Sequence, residues 1–225
     1  MYRSVELTTL VSLRLGFDLD GVFADLGGRL TEYSSSSPGA RDADGPLDTT
    51  HLRGASAETW RRVAAIENFW ESLDEIEPGS VQQLASLARE RRWDVIFLTS
   101  RPDTKGDSVQ VQSQRWLDNK GYSLPSVFVT KGSRGRIAAS LALDLVVDDN
   151  PGNCLDVATE SDARAILVWR GAAEVAPASA RKLGVGAVPT MVECLSVLDQ
   201  VDRAARSEGG FLASFRRLLG LADSY

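Results

Sequence analysis

Apolar residues come along this chain in short runs that end on polar ones. Leu13 to Phe17 runs into Asp18, and Asp20 and Gly21 follow. Trp93 to Leu98 runs into Thr99-Ser100-Arg101-Pro102, and Val127 to Thr130 into Lys131-Gly132. Leu145 to Val147 runs into Asp148-Asp149-Asn150-Pro151, and Ala165 to Trp169 makes a fifth run. Runs this short, with little period-two alternation, read as strands buried on both faces.

Helical patterns fill the spaces between them. Trp60, Val63, Ala64 and Trp70 recur at helical spacing and predict a helix over Ser56 to Leu73, with Ser56 as N-cap. Glu77-Pro78-Gly79-Ser80 is a hinge-like break, after which Ser80 caps a helix with an apolar stripe of Val81, Leu84, Leu87 and Ala88. Further helices are predicted over Val109 to Asn119, Arg136 to Leu143, Cys154 to Glu160 and Pro189 to Leu198, with a terminal amphipathic helix over Gly209 to Leu221. Strands alternating with helices predict an α/β fold, a Rossmann-like parallel sheet of about five strands flanked by helices. Met1 to Thr9 reads as a loose leader, and the Ser/Gly/Pro-rich stretch from Tyr33 to Pro46 as a mobile polar loop.

Composition narrows the function classes. The 225-residue chain carries a net charge of −6, so no basic field attracts a nucleic-acid polymer or an anionic membrane. No apolar run approaches the ~20 residues of a membrane span, and the N-terminus lacks a signal-peptide layout. Two cysteines, Cys154 and Cys194, make no disulfide framework, and a reducing cytoplasm is the expected location. With His51 as the single histidine, a histidine base or a histidine-rich metal site is not expected.

In a parallel sheet, ligands lie beyond the carboxyl ends of the strands. Those ends carry two acids, hydroxyls, a cation and two more acids. Carboxylates gathered there repel one another unless a cation sits among them. A hard, oxygen-liganded ion such as Mg²⁺ fits, because it takes one or two carboxylates and bridges to a substrate phosphate. The hydroxyls, the backbone amides and Lys131 supply donors for phosphate oxygens. The inventory suits phosphoryl transfer on a small phosphorylated substrate.

At these residues the chain resembles the haloacid dehalogenase-like (HAD) superfamily of phosphohydrolases. Asp18-Leu-Asp20-Gly21-Val22 is similar to its first motif, Leu98-Thr99-Ser100 to its second, Lys131 to its third and Val147-Asp148-Asp149 to its fourth. The resemblance implies Asp18 as nucleophile and Asp20 as general acid/base, with its backbone carbonyl on Mg²⁺. It implies Thr99 and Ser100 as phosphoryl binders and Lys131 as the neutralising cation, with Arg134 and Arg136 as alternatives. Asp148 or Asp149 completes the metal site, with Asp149 the favoured direct ligand. The superfamily inserts a covering lobe after the first motif, which implies a core over residues 1–22 and 79–225 and a small helical cap over 23–78.

The Thr99-Ser100-Arg101-Pro102 sequence also resembles the 5′(3′)-deoxyribonucleotidase branch, which implies a nucleoside monophosphate as substrate. Arg101 would contact that substrate or form a surface ion pair. Trp60, Phe69 and Trp70 would face a base or, as their helical spacing favours, form the cap core. Two alternatives keep the fold: a phosphatase for a sugar phosphate or other small phosphate, and a binding or regulatory module without turnover. The sequence carries no sign of oligomeric state.

Overall fold

Six short runs, not five, form the sheet. In a computed structural model that describes residues 12–35, 55–170 and 182–207 together with Phe215 and Leu219, the strands are β1 (Arg14–Asp18), β2 (Asp94–Thr99), β3 (Ser126–Val129), β4 (Leu145–Asp148), β5 (Arg164–Val168) and β6 (Gly186–Val188). The helices are α1 (Leu26–Ser35), α2 (Ala57–Ala64), α3 (Ser80–Arg91), α4 (Val109–Asn119), α5 (Arg134–Ser140), α6 (Pro151–Glu160) and α7 (Met191–Ser207). All strand pairs are parallel, in the order β3-β2-β1-β4-β5-β6. The chain winds outward from β1 in both directions, so the crevice at the carboxyl ends of β1 and β4 is the topological switch point.

Both faces of the sheet are covered, which is why its strands read as unbroken apolar runs. Successive residues still go to opposite faces. Leu145, Val147, Ile166 and Val168 join the larger buried cluster, whereas Val146, Ala165 and Leu167 join a second one with Ile137, Ala138 and Val157. The sixth strand escapes a sequence reading because Gly186-Ala-Val188 is too short to show a pattern.

Between β1 and α3 the chain makes an excursion. Its outgoing and returning limbs pair: Ala24 bridges Glu75 antiparallel, the Asp25 amide donates to the Asp74 carbonyl at 2.9 Å, and the Ile76 amide donates to the Phe23 carbonyl at 2.8 Å. Leu26, Leu30, Val63, Phe69, Trp70 and Leu73 of the excursion belong to the same buried cluster as β1 and β2. The expected single helix over 56–73 is broken. Ser56 does cap α2, accepting from the Thr59 amide. The helix stops at Ala64, Asn68 turns left-handed at φ 51°, and Phe69–Ser72 forms a separate 3₁₀ turn. The cause is tertiary: the Asn68 amide donates to the Lys105 carbonyl at 2.8 Å, and its side chain accepts from the Asp107 amide at 2.9 Å. Ser80 likewise is not a cap but the first helical residue, after Gly79. The amides of Val81 and of the preceding Gly79 go instead to Glu75, each at 3.0 Å.

Residues 36–46 of the serine-rich stretch lie outside the described residues, as do the leader and, apart from Phe215 and Leu219, the terminal segment. Phe215 is buried in the larger cluster and Leu219 packs against it. No helix among the described residues is long and apolar enough to cross a membrane.

Candidate active site

β1 delivers Asp18 to the carboxyl edge with its backbone sealed between β2 and β4. The chain then turns sharply. The amides of Phe23 and Ala24 both donate to the Leu19 carbonyl at 2.9 Å, and Phe23 packs its ring 5.7 Å from Phe17 and 6.2 Å from Phe97. Gly21 makes this turn possible. Its φ is +84°, and a Cβ there would lie 2.0 Å from Asp149 Oδ2, so only glycine lets the turn rest on that carboxylate.

β4 ends on Asp148 and Asp149 follows it, both buried. Carboxylate oxygens of Asp18, Asp148 and Asp149 lie within 4.8 Å of one another. Asp148 is firmly held. It accepts from the Asn150 amide at 2.8 Å, from Asn153 Nδ2 at 2.9 and 3.1 Å, and from Arg134 Nε at 3.4 Å. Asn150 also caps α6, accepting from the Gly152 amide at 2.8 Å. No side chain among the described residues donates to Asp149.

The cation that reaches the acids is Arg134, the first residue of α5. Its side chain is 4% exposed, and Nη2 donates to Asp18 Oδ1 at 2.5 Å. Lys131, the first choice from sequence, is exposed, and no contact among the described residues joins it to the acids. Arg136, the other alternative, is exposed beside Glu160 at 3.9 Å. The difference arises from the cap. Ser133 Oγ accepts from the Gly135 and Arg136 amides, so α5 starts two residues earlier than its apolar pattern suggests and aims Arg134 back at the sheet edge.

Asp20 is held separately. Arg101 Nε donates to its two oxygens at 3.0 and 2.9 Å, and Nη2 donates to Oδ1 at 2.7 Å. The Arg101 side chain is 0% exposed. Its guanidinium lies 4.8 Å from the Trp70 ring centroid, and Nη1 donates to Ser113 Oγ at 3.0 Å. Arg101 is therefore in a buried ion pair with Asp20, not a surface one. Trp70 and Phe69 are fully buried, so the core reading of these aromatics holds for both; Trp60 is half-buried. Thr99 ends β2, buried, with Oγ1 accepting from the Arg101 amide at 3.3 Å, while Ser100 is exposed.

Crowding of acids sets the electrostatics. Burial, then the neighbouring Asp148, raises the Asp18 pKa well above the ordinary value, against the pull of Arg134. Burial raises Asp148 too, opposed by Arg134 and by the Asn150 amide. Asp149 is pushed up to about 8 by burial, then by Asp148 and Asp20. Three buried acids facing one guanidinium form a site short of positive charge, and their all-oxygen donor set fits a hard divalent cation.

A pH dependence follows. Below the ordinary value of 3.8, Asp149 is protonated whether folded or unfolded. Between 3.8 and about 8 the folded chain retains a proton that the unfolded chain has lost, so stability falls as pH rises through this window and levels off above it. Thermal melts in divalent-free buffer should show that fall. Saturating Mg²⁺ should flatten it, and a slope unchanged by Mg²⁺ would contradict a cation site at these acids.

No family model matches the sequence, and no curated protein matches it. Solved structures do match its fold. One is a Thermotoga maritima protein named for β-phosphoglucomutase, with 19% identity and a TM-score of 0.55 over 84% of this chain and 99% of that one. Another is a HAD family hydrolase from Deinococcus radiodurans, with 14% identity and a TM-score of 0.57 over 83% of this chain and 95% of that one. The chain thus shares the α/β fold of these two structures.

Proposed function

We propose that the protein is a Mg²⁺-dependent phosphomonoester hydrolase that works through an aspartyl-phosphate on Asp18. The observation that carries this reading is the buried Asp18-Asp148-Asp149 cluster with Arg134 on Asp18, at the switch point of the sheet. The Deinococcus structure of the same fold contains bound phosphate and sodium, which supports a phosphate ligand.

Each residue then has a task. Asp18 attacks phosphorus, and the bond to the leaving oxygen breaks. Asp20, which Arg101 holds as a carboxylate in the resting chain, takes up a proton from solvent and gives it to that oxygen; in the second step it takes one from the water that cleaves the acyl phosphate. Arg101 fixes the direction of the Asp20 carboxyl. The Thr99 hydroxyl donates to the transferring group. Arg134 takes the part that the sequence reading gave to Lys131, spreading positive charge over Asp18 and the phosphoryl oxygens. Asp18, the Asp20 carbonyl and Asp149 would hold Mg²⁺; Asp149 is preferred to Asp148, which spends its oxygens on Asn150, Asn153 and Arg134. When bound, Mg²⁺ supplies charge neutralisation for the phosphate. The described parts of the excursion, residues 23–35 and 55–78, are read as belonging to a cover next to this site.

Nucleoside monophosphates and sugar phosphates stand equal as substrates. Arg101 and the Phe69-Trp70 pair, which could have met a nucleotide, are engaged in the core. A panel assay resolves the pair. Phosphate release from both classes should require Mg²⁺ and cease with chelator. Preference for deoxynucleoside monophosphates would establish the nucleotidase reading, and preference for sugar phosphates its alternative. Release from neither class, nor from a generic aryl phosphate, would refute the hydrolase.

A further inference from the structure

Arg170 lies outside every motif considered so far, two residues beyond β5, yet two separate parts of the chain meet on it and a third joins through one of them. Its Nη1 donates to the carbonyl of Gly21, and its Nη2 donates to the carbonyl of Val22 at 3.1 Å. The same Nη2 pairs with Glu77 Oε1 at 2.6 Å. Glu77 in turn caps α7: Oε1 accepts from the Met191 amide at 2.8 Å and Oε2 from the Val192 amide at 3.1 Å. Burial pushes the Glu77 carboxyl up, but the Met191 amide, Arg170 and the Val192 amide outweigh it, and the group is held below its ordinary value.

The location gives this brace its meaning. Gly21 and Val22 are where the chain leaves the core after Asp20, and Glu77 is where it returns. The two limbs are already paired through Phe23 and Ile76. Arg170 therefore ties both ends of the excursion to β5 and, through Glu77, to α7. The Gly21 peptide is pinned by Arg170 at its carbonyl, while its α-carbon rests against Asp149. A shift of this turn would move Asp20 and the wall against which the Asp149 carboxylate is set.

We infer that Arg170 and Glu77 are positioning residues of the candidate site, holding the Asp20-Gly21-Val22 turn against Asp149 so that the metal-binding oxygens keep their geometry. This rests on the Mg²⁺-dependent reading above. The brace acts through backbone carbonyls and a helix N-terminus.

The test compares the full chain with its R170Q variant by calorimetric Mg²⁺ titration, thermal melting and steady-state kinetics. Removing an outer-shell partner of this kind typically costs about tenfold or more in metal affinity or activity. R170Q should therefore raise the Mg²⁺ Kd about tenfold and lower kcat similarly, with little change in KM. R170K should be impaired in the same direction, since one ammonium cannot span two carbonyls and a carboxylate. E77Q should show a smaller loss of the same kind. If R170Q does not fold, R170K and E77Q read the same quantities. Variants with a lowered Tm but wild-type Mg²⁺ Kd and kcat would overturn the inference and leave a purely structural brace. A wild-type chain that binds Mg²⁺ but hydrolyses no phosphomonoester would overturn the hydrolase reading alone, since the titration still reports on Arg170. A wild-type chain that binds no Mg²⁺ would overturn both.

Discussion

Asp18→Asn should lower Mg²⁺-dependent phosphate release by roughly 10⁴- to 10⁶-fold, as loss of a covalent nucleophile does. That corresponds to about 5–8 kcal/mol of transition-state stabilisation. The amide nitrogen and oxygen fill the same space as the two carboxylate oxygens, but the side chain can no longer accept the phosphoryl group. The fold should survive. Burial and Asp148 already push Asp18 toward its uncharged form, so a neutral side chain suits the metal-free cluster. The variant should melt no lower than the wild type in divalent-free buffer. Comparing phosphate release with melting temperature checks both halves. An active variant would remove Asp18 from the chemistry, and an unfolded one would contradict the electrostatic account of the cluster.

The second large effect concerns the cation. Arg134→Gln should reduce kcat by roughly 10²- to 10³-fold, the usual loss when one preorganised charge-stabilising donor is removed. Lys131→Gln should leave kcat near the wild-type value. Arg134 sits at the start of α5, where the helix dipole disfavours a cation, so its pairing with Asp18 and Asp148 is what offsets that placement. Breaking a buried ion pair by deleting one partner costs about 3–5 kcal/mol, and protonation of the abandoned acids should recover part of it. Arg134→Gln should therefore lose stability as well as rate, more at neutral than at acidic pH. Paired kinetics of the two variants decide the matter, and a Lys131→Gln variant slower than Arg134→Gln would restore the first reading of the third motif.

Much of the fold was readable in the sequence because buried parallel strands are written as short apolar runs, and because the polar residues that end them share one rim. That rule alone predicts Asp18, Thr99, Asp148 and Asp149 on one rim, and the structure has them at or next to the strand ends. Side-chain direction was not readable in the same way. Choosing between Lys131 and Arg134 requires knowing that Ser133 caps α5, a decision made by two backbone amides. The role of Arg101 depends on Trp70, Ser113 and Asp20, three segments that meet only in the folded chain. The break at Asn68 has the same origin, since its partners Lys105 and Asp107 lie on a distant loop. Glu77 and Arg170 carry no motif at all. Their partners, Met191 and Gly21, are brought together by the winding order of the sheet. Local pattern encodes the elements and their polar ends, whereas long-range contacts assign partners to the polar groups.

The central claim is that Asp18 carries the phosphoryl group during turnover. Mixing the chain with a phosphorus-labelled phosphomonoester in Mg²⁺, quenching in acid within a single turnover and digesting the product measures it directly. The account predicts label on the peptide containing Asp18, released by hydroxylamine as an acyl phosphate is, and absent from Asp18→Asn. Label on any other residue, or burst-free hydrolysis with no labelled chain at any time point, would contradict it.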